Sequence, residues 1–233
     1  MQSIFQTIAE ANRQIDSAQS VVSNNLANTG TTAFKADLYA AQVKYRGDFN
    51  VDASALPNAR DSVVDLSSGN ISFTGRDLDI AINGSGWMQV LTPGGEEVLS
   101  RRGDLRVDLD GRLVDGVGRQ VMSETGPVAI QPDATSIAIG SDGTISFAPP
   151  GNAGAARIAL GRIMLVNPDP ADRTKGVDGE IRIAEGADAV PATGTQVVAG
   201  ALERSNVTPI RAMVEMISLS RAFEAQSKTL KSA

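Results

Sequence analysis

Two residue types that carry much of protein redox and acid–base chemistry are missing from these 233 residues: there is no cysteine and no histidine. The chain can therefore form no disulfide, no thiolate nucleophile, no zinc site of the usual kind and no histidine-based catalytic triad. Lack of cysteine is compatible with an oxidising compartment without requiring one. Aromatic residues make up only 4%, with one tryptophan, Trp87, and two tyrosines, Tyr39 and Tyr45. Stacking platforms for bases or sugars are correspondingly scarce. Positive charge is short as well. With 21 Lys and Arg against 27 Asp and Glu, the formal net charge is −6, the wrong sign for a nucleic-acid partner. No uninterrupted apolar run is long enough to span a bilayer, and the N-terminus lacks the basic start and apolar stretch of a secretory signal. The expectation is a chain not inserted in a membrane. If it leaves the cytoplasm, it does so without a cleavable signal peptide.

What is present is concentrated at the two ends. Residues 4–28 place apolar side chains at Ile4, Ile8, Ala11, Ile15, Ala18 and Val22, and residues 210–230 place them at Met216, Phe223 and Leu230, with Met213 and Ile217 broadening the stripe. Steps of three and four align these residues, and Leu26 with them, on one face of a helix that needs another helix to cover it. The two terminal helices most simply cover each other. The other face of the first helix is expected to carry amides and hydroxyls (Gln2, Gln6, Asn12, Gln14, Gln19, Ser20, Asn24 and Asn25) rather than the lysines and glutamates of a helix in open water. Burial by neighbouring subunits accounts for this; an ordinary two-helix hairpin with a neutral outer face remains the alternative. The helix stops where Asn28 and Gly30 can take the left-handed conformation, and Thr31, Thr32 and Phe34 favour extended chain.

Between the ends the period changes. Residues 87–92, 98–100, 105–109 and 158–166 read as strands. Asp110-Gly111, Asp115-Gly116, Asp142-Gly143 and Asp178-Gly179 read as tight primed hairpin turns. The fold class is α+β: a discontinuous, coiled-coil-like module of N- and C-terminal helices with a central antiparallel β-rich domain. No catalytic constellation emerges. Gly84-Ser85-Gly86 lacks the third glycine and the crossover helix of a phosphate loop, and Asn83 disqualifies it as a nucleophile elbow. Aligned on Gly111, a calcium loop would need ligands at Arg106 and Val117. No enzyme activity, metal or cofactor is expected.

One stretch is more specific. Asn24-Asn25-Leu26-Ala27-Asn28, then Thr31, Phe34 and Lys35, resembles the N-terminal signature of the flagellar axial proteins, the rod and hook family of bacterial flagella. Ala33 stands where that pattern usually has glycine. Residues 78–87, 102–104 with 110–114, 200–207 and 221–228 are similar to further blocks of the family, in family order.

The resemblance implies an axial core formed by residues 1–36 and 201–233, an extended connector over 37–74 and a β-rich outer domain over 75–200. It implies a structural subunit of the flagellar rod, of the size of a proximal rod subunit, with a distal rod subunit as the alternative. Such a chain packs through its terminal helices with copies of itself and other rod proteins. It leaves the cell through the flagellar export apparatus and resides in the periplasmic rod of the basal body. From another class, an adhesin or carbohydrate-binding β module on a helical stalk fits the architecture but not the ordered blocks.

Overall fold

The computed structural model describes residues 2–39, 63–131, 134–148, 156–169, 172–176, 179–184 and 186–232. Most of the expected connector, including residues 40–45 for which helix and strand were both open, lies outside the described residues. The chain forms two compact units: Met1–Gly69 with Ser205–Ala233, and Asn70–Arg204.

In the first unit, helix α1 (Gln2–Ala27) is followed by two short strands, β1 (Asp37–Leu38) and β2 (Val63–Val64), which pair antiparallel. The unit closes with helix α2 (Pro209–Ser232), which packs against α1. Proline suits the first position of α2 because its missing N–H is one the helix leaves unpaired anyway; Thr208 precedes it and accepts the first helical bond from Ala212 N (3.1 Å). Ala18, Val22, Leu38 and Ala212 are buried in this unit.

In the second unit every strand pairing among the described residues is antiparallel. It opens with β3 (Ile71–Phe73), β4 (Ile80–Asn83), β5 (Trp87–Leu91) and β6 (Glu97–Ser100). Next come β7 (Arg106–Val107), β8 (Leu113–Val114), β9 (Gln120–Ser123) and β10 (Gly126–Pro127). Then follow β11 (Thr135–Ile139), β12 (Thr144–Ala148), β13 (Ile158–Arg162) and β14 (Leu165–Val166). Last are β15 (Arg173–Lys175), β16 (Ile181–Ile183), β17 (Gln196–Ala199) and β18 (Ala201–Glu203). The main sheet runs β15-β16-β6-β5-β9-β8-β7, with β10 on β9 and β14 on β5; β11-β12-β13 form a second sheet. β17 pairs β4 and β18 pairs β3. Alternation along β9 and β12 sends Val121, Ile145 and Phe147 inward. Val121 and Ile145 join a core built on Ile80, Met88, Val90, Leu105, Leu113 and Ile163.

The hairpins differ from the expected two-residue turns. At Asp108–Arg112, Asp115–Arg119, Gly140–Thr144 and Gly176–Glu180, the fourth residue donates to the first carbonyl and the first donates to the fifth. This is the three-residue loop with a left-handed glycine and a bulge. Gly111, Gly143 and Gly179 occupy that position, but in the second loop it is Gly118 rather than Gly116. Gly116 is the second residue of that loop, where its lack of a Cβ leaves room for the Asp104 carboxylate. The run 158–166 is also two strands, not one. Ile163 N donates to Gly143 O and Met164 N to Met122 O (both 2.9 Å), so the segment passes from one sheet to the other between them.

The expected run 105–109 keeps strand pairing only at Arg106–Val107, because Asp108 already begins the next loop. After α1 the left-handed residue is Ala33 (φ 55°), not Asn28 or Gly30. Thr31 and Thr32 lie in turns before the chain extends at Phe34.

Candidate assembly site

The signature residues build one polar cluster where α1 ends. Asn25 is buried, and its side-chain amide pairs with the backbone of Asp37 as a strand would. Its Nδ2 donates to Asp37 O (2.7 Å) and its Oδ1 accepts from Asp37 N (2.8 Å). Asn28 serves the helix end: Nδ2 donates to Asn24 O (3.0 Å) and Asn24 Oδ1 (2.7 Å), and Oδ1 accepts from Thr31 Oγ1 (3.0 Å). With Thr29 Oγ1 donating to Leu26 O (3.0 Å), side chains satisfy carbonyls that the helix terminus leaves open. Asn24 Nδ2 also donates to Asp37 Oδ2 (3.4 Å). Lys35 is buried, its Nζ donating to Ser67 O (2.7 Å). Leu26 and Phe34 are half-buried and Ala27 is exposed.

Two participants had no role assigned from sequence. Asn206 ties three backbone segments together: its Oδ1 accepts from Ala36 N (2.8 Å), its Nδ2 donates to Asp65 O (2.8 Å) and Ser67 O (3.1 Å), and its N donates to Phe34 O (3.2 Å). It lies in the block at 200–207 that resembles the axial family, which was the only sequence signal for it. Tyr39 donates to Glu215 Oε1 (2.8 Å). Burial, and then the bond to and charge of Glu215, push the phenol up to about 12. Both groups border a cleft of about 440 Å³ that also meets Val22, Leu38, Arg211 and Ala212. These are structural hydrogen bonds, with no nucleophile–base pair among them. Among the described residues, no group of three or more acidic side chains could hold a metal.

The helix faces complete the site. On α1 the inward face holds Ala18, Val22 and Asn25, with Ala11, Ile15 and Leu26 half-buried. On α2 it holds Ala212, with Met216 and Leu219 half-buried and Phe223 at the margin, 37% exposed. Met213 and Ile217 do not broaden that stripe. They stand on the far side of α2 with Ile210 (75% exposed) and Val214, because each helical residue turns about 100° from the last. α2 therefore carries two apolar faces, one covered and one open. Ile4, Ile8 and Leu230 belong to the helices, but their side chains lie outside the described ones.

Comparison with known proteins places this architecture. A family model described as the flagellar hook protein FlgE/F/G D1 domain matches residues 81–147, and one for the flagellar basal body rod FlgEFG protein C-terminal matches 198–233. The chain is 34% identical to the flagellar basal-body rod protein FlgF of Escherichia coli (strain K12), over 92% of this chain and 87% of that one. The chain belongs to the flagellar basal-body rod proteins of the FlgF type. The Salmonella typhimurium FlgF is 32% identical with the same coverage, and that of Caulobacter vibrioides 33%, over 90% and 84%.

As a FlgF-type rod protein it is a structural component of the flagellar basal body and not an enzyme. Membership implies assembly with other flagellar rod proteins. The adhesin reading has no place beside it. No described helix of this rod protein is long and apolar enough to cross a membrane.

Proposed function

We propose that this chain polymerises through α1 and α2 into the proximal segment of the rod, the tubular shaft that carries torque from motor to hook. The observation that carries the reading is the open face of α2, where Ile210, Met213, Val214 and Ile217 form an apolar strip on a helix already packed on its other side. Such a face is stabilised by contact with another subunit at roughly 25 cal/mol per Å² of apolar area covered. Residues 1–36 and 201–233 supply the axial core, with Ile4, Ile8, Ile15, Val22, Leu26, Met216, Phe223 and Leu230 in coiled-coil-like seams within and between subunits. Residues 37–74 connect the core to an outer domain over 75–200. The signature cluster from Asn24 to Lys35 fixes the angle at which chain leaves α1. Helices that gain most of their stability from packing suit passage through the flagellar export apparatus as an unfolded chain into the periplasmic rod.

The test is Ile217→Asp, expressed in a strain lacking the native gene, with basal bodies purified and viewed by electron microscopy. The expected result is a truncated or absent rod and no hook, with the purified variant retaining the native emission of Trp87. Complete, hook-bearing basal bodies overturn the reading.

A further inference from the structure

The chain passes between its two units twice, after Gly69 and after Arg204. Both passages open onto one ribbon. Strands β3 and β18 pair over only three positions, Ala201 with Phe73, Leu202 with Ser72 and Glu203 with Ile71, and Arg204 N closes the end on Asn70 O (2.8 Å). A two-stranded ribbon of this length has little stability of its own, so its fastening to the rest of the β unit decides how it behaves under force.

One such fastening lies where a force from the crossings arrives. Glu203 is buried, and its Oε2 accepts from Arg101 Nε (2.7 Å). The same guanidinium donates from Nη1 to Gly84 O (2.9 Å) and Gly86 O (2.7 Å), and from Nη2 to Ile82 O (2.7 Å). It also lies 5.7 Å from the centre of the Trp87 ring. One side chain thus joins the outgoing strand β18 to the end of β4, the Gly84-Ser85-Gly86 turn and the start of β5. At the far end of the ribbon, Gly200 N donates to Asp79 O (2.7 Å).

An apolar contact would hold β18 without direction and tolerate a slip along the strand. A charge-assisted bond to a guanidinium held in place by three carbonyls of the β4–β5 segment is short and directional, so a slip of β18 breaks it. Removing one partner of a buried pair also strands the other charge.

We propose that Arg101 and Glu203 are a positioning pair that clamps the ribbon, so that torque between the helical unit and the β unit is carried without β18 sliding out. This rests on the torque-transmitting reading above, but its test needs no rod. The chain has no cysteine, so introduced pairs are unique anchors for single-molecule force measurements on the full chain. Arg204→Cys with Leu109→Cys loads the ribbon against a fully exposed hairpin tip. Leu109→Cys with Val190→Cys loads the same unit between two exposed sites off the ribbon.

Glu203→Gln is expected to shorten the lifetime under fixed load on the 109–204 axis by on the order of 100-fold and to leave the 109–190 lifetime unchanged. Arg101→Lys keeps the charge but not the fork, and is expected to fall between wild type and Glu203→Gln on the first axis only. It is also the second variant should Glu203→Gln fail to fold. Equal loss on both axes, the mark of a merely structural pair, overturns the proposal; so does no loss on either. Because the readout is on isolated molecules, an assembly defect with no directional loss would overturn the clamp alone.

Discussion

Single residues carry most of the specificity at the end of α1. Ala33 holds a left-handed backbone (φ 55°) at the position where the axial-family pattern usually has glycine. A side chain there costs about 1–2 kcal/mol relative to a residue free of the Cβ clash. Ala33→Gly is therefore expected to raise the stability of the helical unit by about 1 kcal/mol, partly offset by glycine's greater unfolded freedom. A shift of the urea midpoint followed by helical circular dichroism measures it; an unchanged or lower midpoint contradicts the strain.

Tyr39 offers a second check at this scale. With the phenol pushed up to about 12 from its usual value near 10, the folded chain holds this proton where the unfolded chain has begun to lose it. Its contribution is thus fully present below pH ~10 and is lost as pH rises through about 12. In a Tyr45→Phe background, absorbance at the tyrosinate band should titrate near 12. Adding Glu215→Gln should move it back toward the ordinary range. No movement would mean that Glu215 is not among the causes.

Among elements, strands β5 and β6 and the terminal helices were legible because local sequence reports them: short β-prone runs at 87–92 and 98–100, steps of three and four along α1 and α2. The type of hairpin was not, since Asp-Gly serves both a two-residue primed turn and a three-residue loop with its glycine left-handed. The difference lies in which carbonyl the glycine N–H finds. The break in residues 158–166 was hidden for a similar reason, as extended chain looks alike whether its bonds go to one sheet or two.

Close approach of elements is equally silent in sequence. A Cβ on Gly103 would lie 1.8 Å from Ile80 O, across the bond in which Ile80 N donates to Gly103 O (2.9 Å). Gly103→Ala is expected to destabilise the β unit by about 3 kcal/mol or more. Trp87, buried in that unit and the sole tryptophan, reports the loss in denaturant; an unchanged midpoint would show that β4 yields without cost.

At the scale of the molecule, the two units differ in what holds them. The β unit has a continuous apolar core, whereas the helical unit leaves one face of α2 open. A helix that leaves an apolar face uncovered depends on partners for stability. Amide hydrogen exchange is thus expected to be fast over residues 2–36 and 205–232 in dilute monomer, slow in the β unit, and slowed in the helices on assembly. Strong protection of the helices in monomer would contradict this.

The sequence by itself determined the α+β order, the amphipathic ends, the lack of catalytic chemistry and, through its ordered signature blocks, the family. These are properties of neighbours along the chain, where a few residues fix the geometry. Only the tertiary structure decided which face of α2 is covered, that Asn25 pairs with the Asp37 backbone, and that Asn206 and Glu203 are polar anchors. Ala36 and Asn206 are 170 residues apart, and Arg101 and Glu203 are 102 apart. Contacts across such separations depend on how the whole chain closes, which no local period encodes.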